Sequence, residues 1–255
     1  MARSLIALLL MVRCTGATDP AGQILHDLAS GPAAQMRALK AIKGTEIYWK
    51  NPAIQQATIQ LLNNMTKDPE WGEKAEYDKY EFLYEQAMDT VQVIARETNN
   101  REAWMALGIA NYNAGSPYGD WLINQANALP VLIALSSHPN PAVRSRMMEL
   151  FGYIIAACRS DNPKLAACRQ ETRLLQIIHE HATDREVSPW VMEALGICGT
   201  EADIPFLESM RMKLRNPDDP LHSVDWEVDR AEKAIRQRAA KQSNKSAPTK
   251  PPPQL

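Results

Sequence analysis

The sequence predicts an all-α protein of helical hairpins set side by side, and three observations predict it. From Ala21 to about Gln242 the apolar residues recur at helical spacing, and no strand-like alternation lasts beyond a few positions. Eleven glycines in 255 residues are too few for a loop-rich all-β design. Expected helix starts near 52, 101, 141, 187 and 225 follow one another at roughly 40–50 residues, which is the period of a helical solenoid.

At the N-terminus, MARSLIALLLMVRCTGA carries a positive charge at Arg3, an apolar run from Leu5 to Val12 and small residues ending at Ala17. This is the layout of a secretory signal peptide over 1–17, cleaved after Ala17, because the apolar run is too short to span a bilayer. The mature chain is then expected to be secreted or periplasmic, with no transmembrane segment. Cys14 opens a second reading, a lipidated cysteine that anchors an envelope-bound structural subunit. Against it, Arg13 stands where such a signal wants a small residue. At the other end, KQSNKSAPTKPPPQL over 241–255 is rich in lysine, serine and proline and is expected to form a disordered tail.

Between these ends, 18–240 reads as one helical array. Leu129, Leu132, Ile133 and Leu135 make one apolar stripe, and Val143, Met147, Leu150, Phe151 and Ile154 make a second. His138-Pro139-Asn140-Pro141 lies between them as a corner. Pro139 stops the first helix, Asn140 is suited to cap the second, and Pro141 fits a first turn in which its missing N–H is not needed. Asn51-Pro52 repeats the device. AWMALGI at 103–109 is echoed by WVMEALGI at 190–197, after which Thr200 and Asp203 can form a capping box. Second helices of successive pairs are expected to begin near 52, 101, 141, 187 and 225, giving about five hairpins.

The runs LPVLIALSSHPNPAVRSRMMELFGYI and VSPWVMEALGICGTEADIPFLESM resemble HEAT repeats, particularly the HEAT-like class first noted in bilin lyases. Pro130, Val143, Arg144, Leu150 and Gly152 match the pattern in one copy, and Ala194, Leu195, Gly196 and Pro205 match it in the other. The resemblance is good over about 125–215 and faint before 100. It implies an armadillo-type α-α superhelix. Asn140 stands where the family's turn carries aspartate, so the Asp–Arg contacts between repeats are not expected and Arg144 is read as solvated. A tetratricopeptide repeat would want a large aromatic at 111, where this chain has asparagine, and a shorter period.

After removal of the signal, Cys158, Cys168 and Cys198 remain. Cys158 and Cys168 flank Ser160-Asp161-Asn162-Pro163 at facing ends of two helices, within reach of a disulfide; the alternative is a pair of reduced thiols. Cys198 reads as a small packing residue.

No catalytic residue is assigned. The chain lacks a nucleophile elbow, a phosphate-binding glycine loop and a paired CxxC, and no cofactor is implied. His179 and His181 lie two apart on a helix and so point away from each other, and no metal site is assigned to them. Net charge is −2, and −4 once the signal with Arg3 and Arg13 is gone, which disfavours nucleic acid. Eleven of the sixteen aromatics fall between 48 and 121, so a partner-binding patch is expected there, formed by Trp104, Asn111, Tyr112 and Trp121. The sequence thus points to a non-enzymatic scaffold that binds another protein or a peptide segment. Because some relatives in the resembled class act on tetrapyrroles, the resemblance also implies an alternative, a ligand-binding or lyase-type site on a concave face.

Overall fold

The computed structural model describes residues 19–66, 77–110, 121–122, 124–125, 127–160, 166–218 and 223–246. The expected signal and Cys14, and Asn111 and Tyr112 of the expected patch, lie outside them. Among the described residues there are twelve α-helices and no strand. In chain order they are α1 (Pro20–Leu28), α2 (Pro32–Gly44), α3 (Glu46–Trp49), α4 (Pro52–Met65), α5 (Tyr77–Thr98) and α6 (Arg101–Ala110). There follow α7 (Leu129–Leu135), α8 (Pro141–Ser160), α9 (Glu171–Glu180), α10 (Ser188–Cys198), α11 (Ile204–Leu214) and α12 (Ser223–Ser246).

The starts are written in the sequence. Asn51 Oδ1 accepts from the N–H groups of Ala53 and Ile54, Asn100 Oδ1 from Glu102 and Ala103, and Asn140 Oδ1 from Ala142, so one side chain satisfies donors that a helix start leaves open. The capping box of Thr200 and Asp203 is present, with the Thr200 N–H donating to Asp203 Oδ2 at 2.8 Å.

In the C-terminal half, α7 packs on α8, α9 on α8 and α10, and α11 on α12, while α8, α10 and α12 lie side by side. Helices beginning at 141, 188 and 223 are therefore the second members of their pairs. The N-terminal half is registered differently. There α1 pairs with α2 and α4 with α5, and the two pairs stack with α1 on α4 and α2 on α5. The helix at Pro52 thus opens its pair instead of closing it, because the pattern of corners does not say on which side of a corner the partner lies.

One apolar core runs through all of these contacts, with Leu39, Ile54, Leu62, Ile94, Leu107, Phe151 and Leu195 almost fully buried. Buried hydroxyls are satisfied within it: Thr90 Oγ1 donates to Gln86 O at 2.6 Å, and Thr58 Oγ1 donates to Ile54 O at 2.7 Å. Side-by-side approach of α8 and α10 depends on Gly152, where a β-carbon would come within 2.9 Å of the Ala194 Cα. Gly199 ends α10 for a similar reason, since a β-carbon there would run into the Leu195 carbonyl.

Arginines tie the pairs together. Arg144 is not solvated: its Nε and Nη2 donate to Asp184 Oδ2 at 3.0 and 2.7 Å, and its Nη1 donates to the carbonyls of His138 and Pro139. Asp184, 44 residues after Asn140, thus supplies a carboxylate that ties the start of α8 to the segment ahead of α10. Arg159 from α8 and Arg238 from α12 both reach the C-terminal end of α10, donating to the carbonyls of Cys198, Gly196 and Gly199. There the last carbonyls lack helical partners and the helix dipole favours a cation.

Cys158 and Cys168 are bridged, with Cα atoms 5.4 Å apart. Closing this short loop constrains the unfolded chain by about 2–3 kcal/mol. It also fixes the end of α8 where Arg159 leaves it to pair with Glu171 at 2.6 Å. The last helix continues through Ser246, past the expected boundary at 240, because arginine, alanine, lysine and glutamine are good helix formers that need no core. Its inward residues Val228, Ala231 and Ile235 are buried, whereas Asp229, Glu232, Lys233, Arg236 and Gln237 line its open side.

Candidate protein-interaction surface

Of the expected aromatic patch, Trp104 and Trp121 can be placed, and they pack on each other. Their ring centroids are 5.7 Å apart and the rings are inclined by 20°. Trp104 is only 2 % exposed, so it does not face a partner. After its exposed Arg101 and Glu102, helix α6 is apolar all round, with Ala103, Trp104, Ala106, Leu107, Gly108 and Ala110 buried between α4, α5 and α7. Asn99, held at φ 51°, turns the chain from α5 into α6 and accepts from Trp104 Nε1 at 3.2 Å. Tyr84 is buried as well, its hydroxyl donating to the Ala110 carbonyl. Of the aromatics between 48 and 121, Tyr84 and Trp104 belong to the core, Tyr48, Trp49 and Trp121 are half-buried, and Phe82 is exposed.

Exposed aromatics occur on α5, where Phe82 is largely open, and on α8, α10 and α12. Tyr153 on α8, Trp190 on α10 and Trp226 on α12 are 38, 37 and 59 % exposed. Tyr153 stands four after Glu149 and Trp190 three before Glu193, spacings that share a helix face, and Trp226 is followed by Glu227. Because α8, α10 and α12 lie side by side, the three glutamates line up across the helices. Glu149 and Glu193 stand 44 apart, as Gly152 and Gly196 do, so each glutamate lies one turn ahead of the glycine at its helix contact.

Electrostatics record the alignment. Burial pushes the Glu149 carboxyl up from 4.5 to about 7, and the charge of Glu193 pushes it the same way. The carboxyl of Glu227 is also raised, first by burial and then by Glu193, with Arg230 opposing. Arg230 is the cation of this row. Its Nη2 lies 3.0 Å from Glu193 Oε1, its Nη1 3.9 Å from Glu227 Oε2, and its guanidinium 5.4 Å from the centre of the Trp226 ring. Glu149 has no ion pair or hydrogen bond among the described residues.

The groups with reactive potential are occupied structurally. Burial pushes the Cys198 thiol up to about 12, and the nearby Arg159 and Arg238 only partly oppose this, so the reactive thiolate is suppressed. His179 lies against the Phe206 ring, 4.2 Å between centroids, with Nε2 3.5 Å from Asp203 Oδ1. That histidine, ahead of the Thr200 donors, holds the Asp203 carboxyl below its ordinary value. His181 turns the other way, 4.0 Å from Asp184. No group of three or more His, Cys, Asp or Glu among the described residues is placed to hold a metal ion.

The chain matches no protein-family model, no curated protein and no solved structure in comparisons with known proteins. Sequence reasoning missed Glu149, Trp190, Glu193 and Trp226 as surface residues. A signal for them existed in the period that returns Asn140 as Asp184 and Gly152 as Gly196, since the same step carries Glu149 to Glu193.

Proposed function

We propose that this chain is an exported, non-enzymatic stack of HEAT-like helical hairpins that binds another protein or a peptide segment through the exposed side of α8, α10 and α12. One observation carries the reading: three exposed aromatics, Tyr153, Trp190 and Trp226, stand with three glutamates on neighbouring helices of a packed layer. Aromatic side chains that keep exposed area on a rigid support are the usual anchors of protein interfaces. The repeat reading is supported by the side-by-side second helices, the step of 44 residues and the Arg144–Asp184 contact from one pair to the next. Export is supported by the Cys158–Cys168 bridge, which persists in oxidising compartments. No helix among the described residues is long and apolar enough to cross a membrane.

A photo-crosslinking amino acid in place of Trp190, expressed in the native host, tests the binding surface. Adducts of defined mass are expected there, and not with the same group in place of Arg173 on α9. Absence of adducts at 190 and at 226 would overturn the reading. Mass spectrometry of the mature protein should give Thr18 as the first residue, and an intact Met1 would defeat export.

A further inference from the structure

The row of glutamates on α8, α10 and α12 contains one arrangement that is filled by the protein itself and a second that is not. In the first, Trp226, Glu193 and Glu227 hold Arg230: a guanidinium stands over an indole face while two carboxylates approach its nitrogens at 3.0 and 3.9 Å. In the second, one helix over, Gly152 of α8 seats against Ala194 of α10; Glu149 lies one turn before Gly152, and Glu193 beside and Trp190 one turn before Ala194, so an indole and two carboxylates flank one helix seam. No cation of the chain is placed over the Trp190 ring, and none pairs with Glu149, among the described residues. The two arrangements share Glu193, so they are neighbours on one surface.

Resting on the reading of this face as a binding surface, we infer that Trp190, Glu149 and Glu193 receive a lysine or arginine side chain from a partner polypeptide, as Trp226, Glu193 and Glu227 receive Arg230. Charge complementarity selects the partner. Two carboxylates held near each other with one shared cation leave an excess of negative charge, and an aromatic face adds an attraction that an acidic or neutral segment cannot use. A docked cation relieves the repulsion between Glu149 and Glu193 as well as gaining its own contacts. Specificity for a basic segment then comes from the same feature that burdens the free protein.

The test uses the full chain and a fluorescein-labelled twelve-residue peptide of alternating lysine and serine, with glutamine–serine and glutamate–serine peptides as controls, read by fluorescence anisotropy at pH 7.5. The lysine peptide is expected to bind at least about tenfold more tightly than the glutamine peptide. Glu149→Gln and Trp190→Ala should each weaken it by about threefold to tenfold. Glu46→Gln, which changes net charge equally on the short α3, should leave it unchanged. Arg230→Ala should strengthen it, since Glu193 and Trp226 then become available to the ligand. Equal binding of all three peptides overturns the inference, and so does an equal loss with E46Q and E149Q, which marks diffuse attraction only. Adducts at position 190 joined to a segment without lysine or arginine would sink this inference while leaving the binding surface standing. Lack of adducts would sink the binding surface itself.

Discussion

Glu149→Gln should make the protein more stable at pH 8 and change it little at pH 4.5. In the fold the Glu149 carboxyl titrates at about 7 instead of 4.5, chiefly from burial and then from Glu193. Between those values the folded chain retains a proton that the unfolded chain has released. Stability is therefore greatest below the unfolded value, falls as pH rises towards about 7, and levels off above it. A fully sequestered carboxyl shifted this far would cost about 3 kcal/mol. Glu149 is partly open to water, and screening reduces the figure to about 1 kcal/mol. The glutamine variant removes that cost and keeps the shape. With a urea m-value of about 2 kcal/mol/M, its unfolding midpoint at pH 8 should lie about 0.5 M above that of the unaltered protein. At pH 4.5 the two midpoints should nearly coincide. A glutamine variant that is equally stable at pH 8, less stable, or more stable by the same amount at both pH values would refute the placement of Glu149 beside a like charge in a half-buried row.

Four further outcomes follow from the packing. Replacing Cys158 and Cys168 by serine should cost about 2–3 kcal/mol in urea unfolding, and reduction of the unaltered protein should reproduce the loss. Gly152→Leu should destabilise by about 2 kcal/mol or more, because a β-carbon within 2.9 Å of the Ala194 Cα forces two backbones apart. Arg144→Ala and Asp184→Asn should each cost about 2 kcal/mol, and the double variant about as much as either alone, since both act through one charge-assisted contact. Trp104→Ala should lose about 3–5 kcal/mol in thermal or urea unfolding, as a core indole does.

Local instructions were the legible part of this fold. Asparagine before proline and Thr200 with Asp203 act within one or two turns, so their meaning survives without knowledge of neighbours. Pairing was legible from 141 onward, where corner and stripe alternate cleanly. It was misread at Pro52, where a cap identifies a helix start but says nothing about which helix lies against it. The candidate site was legible least. An aromatic such as Trp104 and one such as Trp190 differ by what other helices cover them, a long-range property absent from the local pattern. The motifs AWMALGI and WVMEALGI carry them at different offsets, Trp104 four and Trp190 six before the glycine, and α6 is enclosed by α4, α5 and α7, while the Trp190 side of α10 stays partly open.

The close approach of α8 and α10 connects the packing to the proposed binding chemistry. Gly152 lets the Ala194 backbone come near, and that nearness brings Glu149 within range of Glu193. Apolar burial along the same helices, by Phe151, Ile154 and Ile155 from α8 and by Val191, Ala194 and Leu195 from α10, offsets the repulsion that results. If the row were only structural, replacing Glu149 by glutamine would be a gain without consequence, and nothing in the packing requires a carboxylate at that position. A residue whose charge lowers the stability of its own fold, beside an exposed indole, is accounted for when the charge meets an opposite one from outside. Stability and binding should therefore move in opposite directions in E149Q, whereas a variant that loosens the fold, such as G152L, should lower both.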